Sequence, residues 1–383
     1  MDPLRLVILT SITTPYRTPV FNLLGGHEDV SLLVIYMSER EPHRSWDTDW
    51  DAMEHEHVFL RDLLVVKRGG SWVHVLSRGL LGQLRRWKPD VVIAGGWDQG
   101  PHAYAYGLRR VLGYAFGWWV ESSQRDARVG RTFAHFLKRR FALGADGFVV
   151  PGKASRDYVR SFGVPEAAIH LAPNVVDTER FARGTEGASL ERRSETRFLF
   201  VGRLDPIKGV EQLLRAFEGV PRPAILTLVG DGPLLESLRI KVRTKQIDRV
   251  RLTGHLQGDR LVDEYLAADV FVFPSLSDPW GLVINEAVAA GLPVISTTAP
   301  GAVDDLVEDG RNGLLIEPGD VSALRAAMTR LEKEPSERIE MGRRSLEVSK
   351  RFTLEACAAG LRRAALEMRR RRGDSSESTL PSP

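Results

Sequence analysis

Residues 278–291, DPWGLVINEAVAAG, are the stretch of the chain that decides the fold prediction. An apolar run, Val270–Pro274, precedes this stretch, and a second apolar run, Pro293–Ser296, follows its closing glycine, Gly291. A strand, a loop, a glycine-capped helix and another strand in this order form one βαβ unit of a parallel sheet. The sequence therefore predicts an α/β fold.

Two carboxylates lie near the start of the predicted helix. Asp278 is in the loop before it, and Glu286 lies about one turn inside it. Glu286 is off the predicted core face, which consists of Val283, Ala287 and Ala290. Free N–H groups at a helix start attract phosphate, and carboxylates accept hydrogen bonds from sugar hydroxyls. The pattern indicates a hydroxyl-rich phosphorylated ligand. In the plain alternative, Asp278 is only an N-cap and Glu286 is solvated.

Composition limits the partners of the protein. The chain has 383 residues and a formal net charge of +3, which suits two domains with anionic small molecules or an anionic membrane surface as partners. No recognised nucleic-acid motif is present, so no nucleic-acid partner is expected. The single cysteine, Cys357, excludes an internal disulfide and fits a reducing compartment. No apolar stretch reaches the roughly 20 residues that span a bilayer, and we expect a cytoplasmic protein.

Strands alternate with helices through both halves of the chain, which predicts two Rossmann-like, doubly wound parallel sheets. The predicted strands of the first half include Leu4–Thr10, Val30–Tyr36, Asp90–Ala94, Tyr114–Val120 and Gly147–Val150. Ser71–Trp87 is predicted to be a helix, and Arg40–Glu56 a loop or flap. A polar stretch rich in helix breakers, Arg183–Thr196, separates this half from a second series that begins with the strand Phe198–Val201.

We predict four segments from this pattern. Residues 1–174 form an N-terminal domain, and residues 175–352 form a C-terminal domain. Residues 353–372 form a last helix. Residues 373–383 lack large apolar side chains apart from Leu380 and form a disordered tail.

Several polar side chains of the first half follow predicted strands directly. Tyr16 and Arg17 follow the first strand, His102 lies beyond the glycine pair after Asp90–Ala94, and Glu121 follows Tyr114–Val120. Open α/β sheets bind ligands at the carboxyl ends of their strands, so these side chains are candidates for a site. The alternatives are a solvated turn for Tyr16 and Arg17 and a surface or capping role for His102.

One acidic motif of the first half is not assigned a function. Asp47, Thr48 and Asp49 form a DxD sequence, which some glycosyltransferases use to hold a metal–diphosphate. The motif does not follow an apolar strand here, and we predict no metal site.

The second half places cations and glycines at strand ends. Arg203 follows the strand Phe198–Val201, and Lys208 begins the next helix, in the sequence FVGRLDPIKG. Two cations at a strand-to-helix junction suit a diphosphate, although a solvated charge pair is the simpler alternative. Gly202 permits a tight turn, and Gly230, in the sequence GDGP, lets a flat base approach the backbone closely.

GRLDPIKG, VGDGP and DPWGLVINEA, in this order and spacing, resemble the retaining GT-B glycosyltransferases of family 4. PNVVD and the opening TPYRTPVFN are similar to that family as well. The resemblance covers nearly the whole chain and implies two Rossmann-like domains facing a cleft. It also implies that the second domain binds the nucleotide-sugar, that the first binds the acceptor, and that the final helix crosses back to the N-terminal domain.

The resemblance also assigns residue roles. Arg203 and Lys208 match the pair that neutralises the diphosphate, and Glu286 matches the residue that holds the ribose hydroxyls. Asp278 stands where the family commonly has Glu, so its arm to the donor sugar is one methylene shorter. The amides of Gly281 and Leu282 lie near the donor in this resemblance. Many family members carry a histidine where this chain has Glu121, and His102 lies on a different loop.

The function implied by this resemblance is transfer of a hexosyl group, with retention, from a UDP- or GDP-linked sugar to an acceptor hydroxyl. No metal or further cofactor is expected. Two alternatives share the fold, namely a nucleotide-sugar 2-epimerase and a non-catalytic nucleotide-sugar-binding regulator. The cations of the last helix, Arg362, Arg363 and Arg369–Arg372, suit either an anionic membrane surface or a solvated helix end.

Overall fold

The computed structural model describes residues 2–39, 50–68, 71–97, 99–125, 132–182 and 195–377. By its internal contacts, the chain divides into two units. Unit 1 consists of Met1–Glu121, Gly130–Pro173 and Leu354–Pro383, and unit 2 consists of Ser122–Val129 and Asn174–Thr353. The main boundary differs by one residue from the prediction, but residues 122–129 belong to unit 2. The reason is that Arg125 is bound there by Asp304 and Thr298.

Unit 1 is built on a parallel sheet of seven strands. These strands are β1 (Leu4–Thr10), β2 (Val30–Tyr36), β3 (His57–Phe59), β6 (Val91–Gly95), β7 (Ala115–Trp119), β8 (Gly147–Val150) and β9 (Ile169–Leu171). Their order across the sheet is β3-β2-β1-β6-β7-β8-β9, which contains the Rossmann order 3-2-1-4-5-6. In β1 every side chain except that of Arg5 is buried, as expected for a strand covered by helices on both faces.

The helices of unit 1 are α1 (Thr18–Gly25), α2 (Leu80–Trp87), α3 (Gly100–Leu112), α4 (Thr132–Leu143), α5 (Lys153–Arg160) and α14 (Leu354–Glu377). Large aromatic side chains fill the core between helices and sheet. Trp118 is fully buried and stacks on Tyr106, with their ring centroids 5.8 Å apart. The core therefore fixes the edge of the sheet that carries Glu121.

The predicted helix Ser71–Trp87 is wrong in its first half. Residues 71–78 form β5 (Ser71–Arg78), which pairs antiparallel with β4 (Arg61–Arg68), and the helix α2 begins only at Leu80. β-Branched side chains favour strands, and Val65, Val66, Val73 and Val75 occupy the two strands. Two adjacent glycines in the sequence, 69 and 70, are a hairpin signal that the helix prediction overlooked.

The last helix, α14, belongs to unit 1. It packs against α1 and across β7, β8 and β9. Met368 is fully buried, and a Cβ placed on Gly117 or Gly147 would lie 2.6 or 2.7 Å from its Cε. The helix continues to Glu377, so the predicted start of the tail at residue 373 is wrong. The small residues Gly373, Ser375 and Ser376 do not stop the helix.

Unit 2 contains a second parallel sheet, of six strands. The strands are β10 (Thr196–Val201), β11 (Ala224–Val229), β12 (Val250–Gly254), β13 (Val270–Phe273), β14 (Val294–Thr297) and β15 (Gly313–Ile316). Their order is β12-β11-β10-β13-β14-β15, again a doubly wound arrangement. Its helices are α6 (Thr178–Ala182), α7 (Val210–Phe217), α8 (Leu235–Thr244), α9 (Asp259–Ala267), α10 (Leu282–Ala289), α11 (Val303–Leu306), α12 (Val321–Lys333) and α13 (Pro335–Ser349).

One other prediction about local structure needs correction. The buried residues of α10 are Ile284, Asn285, Ala287, Val288 and Ala289, whereas Val283 is only partly buried. The helix begins at Leu282 after Gly281, whose left-handed φ of 96° sets this rotation. Within Arg40–Glu56, residues 50–56 form only turns, bends and irregular chain. The DxD residues Asp47 and Asp49 lie outside the described residues.

Candidate functional site

Three loops at the carboxyl edge of the unit 2 sheet carry the polar residues predicted from the second half. They follow β10, β11 and β13, which lie side by side in the sheet. Backbone hydrogen bonds join the first two loops, because Leu204 N donates to Asp231 O at 2.8 Å and Leu234 N donates to Leu204 O at 2.9 Å. The loops therefore form one continuous edge, where doubly wound sheets bind ligands.

The loops after β10 and β11 approach each other closely at Gly202 and Gly230. A Cβ on Gly230 would lie 1.9 Å from the carbonyl oxygen of Gly202, and the φ of Gly230 is +143°. Only glycine combines this conformation with this approach. The bare backbone on both loops leaves room for a flat ligand against the sheet edge.

Lys208 and Asp278 form an ion pair in this edge. Lys208 Nζ donates to Asp278 Oδ2 at 2.6 Å, and the side chains are 19% and 15% exposed. Lys208 ends a single 3₁₀ turn, Pro206–Lys208, which precedes α7 and is held by the carboxylate of Asp205. A cation held in a fixed position beside a helix start is arranged to meet an anion.

Asp278 is held by the backbone around it. Its Oδ1 accepts from Trp280 N at 3.1 Å, and its carbonyl oxygen accepts from Gly301 N at 3.2 Å. The N-cap of α10 is Gly281, so the alternative of Asp278 as a plain N-cap is wrong. The free amide of Leu282 opens the helix directly behind this loop.

Glu286 lies one turn into α10 and is bound by Tyr265. The Tyr265 hydroxyl donates to Glu286 Oε2 at 2.6 Å. Burial raises the pKa of Glu286 to about 7, although the hydrogen bond from Tyr265 opposes this shift. The alternative of a solvated Glu286 is wrong, because the side chain packs against α9 through Tyr265. A partly buried carboxyl with spare oxygen capacity can accept hydrogen bonds from ligand hydroxyls.

Arg203 is the most accessible cation of this edge. Its side chain is 58% exposed, and its Nε lies 3.4 Å from Asp205 Oδ2. An exposed guanidinium keeps most of its donors available for a phosphate.

Arg125 reinforces the loop that follows β14. Its guanidinium binds both oxygens of Asp304, at 2.8 and 3.0 Å, and the carbonyl oxygen of Thr298 at 2.8 Å. The same loop donates from Gly301 N and Ala302 N to the carbonyl oxygens of Asp278 and Trp280. Arg125 thus supports the Asp278 loop through one intermediate segment. Arg125 and Asp304 are 179 positions apart, so no local pattern in the sequence predicts their pairing.

Glu121, in unit 1, lies at the carboxyl end of its strand as predicted. Its partner is Arg17, whose guanidinium donates to Glu121 Oε1 at 2.6 Å, whereas the nearby Arg125 binds Asp304. The Arg17 guanidinium also lies 4.5 Å from the ring centroid of Trp119. Burial is the largest influence and lowers the pKa of Arg17, but Glu121 and Tyr16 together raise this pKa above its ordinary value.

Glu121 and Arg17 differ in accessibility. Glu121 is 34% exposed, whereas Arg17 is 15% exposed. Glu121 also has its carbonyl oxygen held by the hydroxyl of Ser155 at 3.0 Å. The arginine therefore acts as a fixed support, and the carboxylate is the member of the pair that a ligand can reach.

His102 is fully buried, so the alternative of a surface histidine is wrong. Its Nδ1 lies 3.1 Å from the carbonyl oxygen of Gly96, and the ring packs beside Gly95. Burial lowers the pKa of His102 to about 3. The ring is neutral at ordinary pH, and it orders the loop after β6.

The described residues were also compared with the requirements of a metal site. Nowhere in the described ranges do three or more His, Cys, Asp or Glu side chains gather in a way that could hold a metal ion.

Comparison with known proteins follows the same division of the chain. Residues 195–334 match the family model described as Glycosyl transferases group 1, and residues 30–180 match the model described as Glycosyltransferase Family 4. The two matches fall in the second and first halves of the chain. They include the loops with Arg203, Asp278 and Glu121.

Two known proteins are similar in sequence. The chain is 28% identical over 316 residues to the sulfoquinovosyl transferase SQD2 of Arabidopsis thaliana, covering 75% of this chain and 58% of that protein. It is 28% identical over 301 residues to glycogen synthase of Mycobacterium tuberculosis, covering 74% of this chain and 70% of that protein. The chain thus spans little more than half of the first relative.

A solved structure, Anabaena HepE in complex with UDP, is similar over the whole fold. The TM-score is 0.71 at 17% identity, and the match covers 99% of this chain and 100% of that chain. At this identity the likeness shows a shared architecture.

Proposed function

Since the chain belongs to the family 4 (group 1) glycosyltransferases and has the GT-B fold, we propose that it is a retaining hexosyltransferase. The donor is a nucleotide-diphospho-sugar, and the acceptor is a hydroxyl group. The observation that carries this proposal is the Lys208–Asp278 pair, at 2.6 Å, beside Arg203 and the start of α10. This edge combines cations for a diphosphate with carboxylates for sugar hydroxyls.

Arg203 and Lys208 are proposed to bind the diphosphate. Breakage of the bond between the sugar C1 and the phosphate oxygen leaves additional negative charge on the diphosphate. Fixed cations and the positive end of α10 stabilise that charge more strongly as it develops, which is how such groups accelerate a reaction. Lys208 is already held in place by Asp278, so little reorganisation is needed.

Asp278 and Glu286 are proposed to bind hydroxyl groups of the donor. The Asp278 carboxylate, which accepts from Trp280 N and Lys208 Nζ just before the helix start, is assigned to the sugar. Glu286 is assigned to the ribose. Because the pKa of Glu286 is about 7, its carboxylate is ionised above that pH and can accept hydrogen bonds from the ribose.

The proposed transfer is a front-face substitution. The bond from C1 to the diphosphate breaks, and a bond from C1 to the acceptor oxygen forms on the same face of the sugar. The acceptor proton passes to the leaving phosphate oxygen. Atoms and charges balance without an additional base or a metal, and the family resemblance favours this course over a covalent intermediate.

Glu121 is proposed to orient an acceptor or donor hydroxyl, with Arg17 as its support. The exposed carboxylate and the rigid guanidinium behind it favour this assignment. His102, which is neutral and fully buried, is proposed to shape the neighbouring loop.

The donor is proposed to be a UDP-linked sugar, and a GDP-linked sugar is the alternative. The support for UDP is that a solved protein of the same fold, Anabaena HepE, is in complex with UDP.

None of the helices in the described ranges combines the length and the hydropathy needed to cross a membrane. We place the reaction in the cytoplasm, in carbohydrate or natural-product biosynthesis.

The test is incubation with a panel of UDP- and GDP-sugars, with and without a panel of hydroxyl acceptors, with measurement of released nucleotide and product. Glycoside formation with retained anomeric configuration supports the proposal. Conversion of the donor into its C2 epimer without an acceptor would identify an epimerase. Nucleotide-sugar binding with neither product would identify a regulator.

A further inference from the structure

Unit 1 carries an exposed apolar and cationic surface that the proposed reaction does not use. We call it the hairpin–α3 surface, and it comprises β4, β5, the outer face of α3 and the last turn of α4. Its exposed apolar side chains are Leu63, Leu64, Val66, Val75, Leu76, Tyr104, Val111 and Leu143. These exposed apolar side chains are grouped on three elements of one unit, whereas a plain surface carries them singly.

Strand β5 of the hairpin is fixed to the beginning of α3. The amide of His74 donates to Gln99 Oε1 at 2.7 Å, and a Cβ on Gly100 would lie 2.0 Å from the carbonyl oxygen of Val75. This close contact makes the hairpin a rigid part of unit 1. Its exposed apolar side chains are therefore presented on a fixed support.

The other end of α3 borders an arginine-lined cavity of about 670 Å³. Its lining residues are Tyr106, Arg109, Arg110, Arg139, Arg140, Phe141, Leu143 and Gly144. Arg109 is buried over the Tyr106 ring, 3.6 Å from its centroid. The other three arginines are exposed, and no ion pair joins any of them to an acidic residue in the described part of the chain.

The cations of α14 are used differently. Arg362 forms an ion pair with Asp29, Arg370 with Glu367 at 3.0 Å, and Arg369 lies 3.8 Å from Asp90. These charges attach the last helix to its own unit or to itself. The exposed arginines of α3 and α4, in contrast, keep their donors available.

We infer that the hairpin–α3 surface docks on an anionic lipid bilayer, with headgroup phosphates bound by Arg110, Arg139 and Arg140. Val111, which is 79% exposed, and Leu143 are the apolar contacts beside the arginines. A soluble phosphate would use the arginines but would leave the apolar side chains in water. A bilayer interface satisfies both at once. This inference does not depend on the proposed transfer reaction.

The test is co-flotation of the full-length protein with vesicles of phosphatidylcholine, alone or mixed with phosphatidylglycerol. The wild type should bind the mixed vesicles, and added NaCl should weaken the binding. The double variant Arg139→Ala/Arg140→Ala should bind about 30-fold more weakly, because each cation near an anionic bilayer contributes roughly a factor of five. Val111→Ser and Leu76→Ser should weaken binding as well.

Matched controls are available on α8 of unit 2. Lys241→Ala/Arg243→Ala removes the same charge, and Ile240→Ser removes an exposed apolar side chain; both should bind like the wild type. All these positions lie at the surface, and equal melting temperatures will show that the variants are folded.

Three outcomes would overturn the inference. The first is wild-type binding that is absent or equal on both vesicle types. The second is an unchanged affinity in Arg139→Ala/Arg140→Ala. The third is a different occupant. Binding of inorganic pyrophosphate that requires Arg139 and Arg140, without vesicle binding, would assign the cavity to a soluble anion. Self-association that Val111→Ser abolishes would assign the surface to a second copy.

Discussion

Lys208 Nζ lies 2.6 Å from Asp278 Oδ2, and the two residues come from loops after different strands, 70 positions apart. Each side chain fixes the other, so the cation proposed to meet the diphosphate is in place before a ligand arrives. Preorganised charge of this kind acts without reorganisation during a reaction.

Loss of this cation should slow transfer. We expect Lys208→Ala to lower kcat about 100-fold, or about 3 kcal/mol, because the contact strengthens as the leaving diphosphate gains charge. Arg203→Ala should have an effect in the same direction. Steady-state kinetics with a saturating donor measures it, and Lys333→Ala, an exposed lysine on α12, is the control. A normal kcat in Lys208→Ala and in Arg203→Ala would contradict the assignment of these two residues to the diphosphate.

The raised pKa of Glu286 links stability to pH. Its folded-state pKa of about 7 lies above the ordinary value of 4.5, so the stability it contributes is full below about pH 4.5 and is lost as pH rises through about 7. Glu286→Gln should therefore be more stable than the wild type at pH 8, by about 2–4 kcal/mol, and similar near pH 4. Thermal melts across this range decide the point, and parallel curves would refute it.

The same carboxyl should make nucleotide binding depend on pH. An ionised Glu286 accepts from ribose hydroxyls better than a protonated one, so wild-type affinity for the nucleotide should fall as pH drops below about 7. Tyr265→Phe removes the hydrogen bond that holds this pKa down, and should move the fall to higher pH. Calorimetric titration at several pH values measures both. Unchanged affinity in Glu286→Gln would exclude the ribose role.

Glu121→Gln keeps the shape of the side chain but removes its charge. We expect nucleotide binding and folding to persist, while transfer slows by roughly 10²-fold, the scale of loss when a reacting group is misplaced. The comparison needs kcat per folded molecule and a melting temperature. A lower melting temperature with a near-normal kcat would make the Arg17–Glu121 pair purely structural.

Arg125→Ala should loosen the segment that supports Asp278. Its pair with Asp304 is partly exposed, so we expect a modest effect, about two- to fivefold in donor KM with little change in kcat. The double variant Arg125→Ala/Asp304→Ala should be no worse than the single one, since both remove the same contact. Arg311→Ala, which breaks the surface pair with Glu308, is the control. Strictly additive losses would argue against the coupling.

Metal independence is tested by chelation. With Arg203 and Lys208 as the proposed charge stabilisers, saturating EDTA should leave transfer intact, and Asp47→Ala should be nearly silent. Loss of activity on chelation, with recovery in Mn²⁺ or Mg²⁺, would assign a metal to the reaction.

The α/β alternation was predictable because buried parallel strands are continuous apolar runs, as in Leu4–Thr10, whereas the GT-B architecture was implied by the family resemblance. The hairpin was not predicted, because residues 71–78 mix apolar and polar side chains on an exposed ribbon where neither periodicity is clear. Two glycines between valine-rich runs were the available signal.

The candidate site was predictable only where residues are close in sequence or repeat a family motif. Arg203, Lys208, Asp278 and Glu286 all lie in such motifs. Tyr265 is 21 positions from Glu286, and Arg17 is 104 positions from Glu121, so their pairing depends on tertiary packing. Burial of His102 was likewise invisible to composition, since histidine occurs in cores and on surfaces alike.

The assignment of α14 to unit 1 has a consequence for biosynthesis. A ribosome completes residues 174–353 before it makes Leu354–Glu377, so the unit encoded in the middle of the gene is the first to have all its elements. Until then, the sheet surface at Gly117 and Gly147 lacks the Met368 side chain that covers it. Unit 1 therefore becomes complete only after unit 2. A chain that ends near residue 353 lacks an element of unit 1 but has all the elements of unit 2.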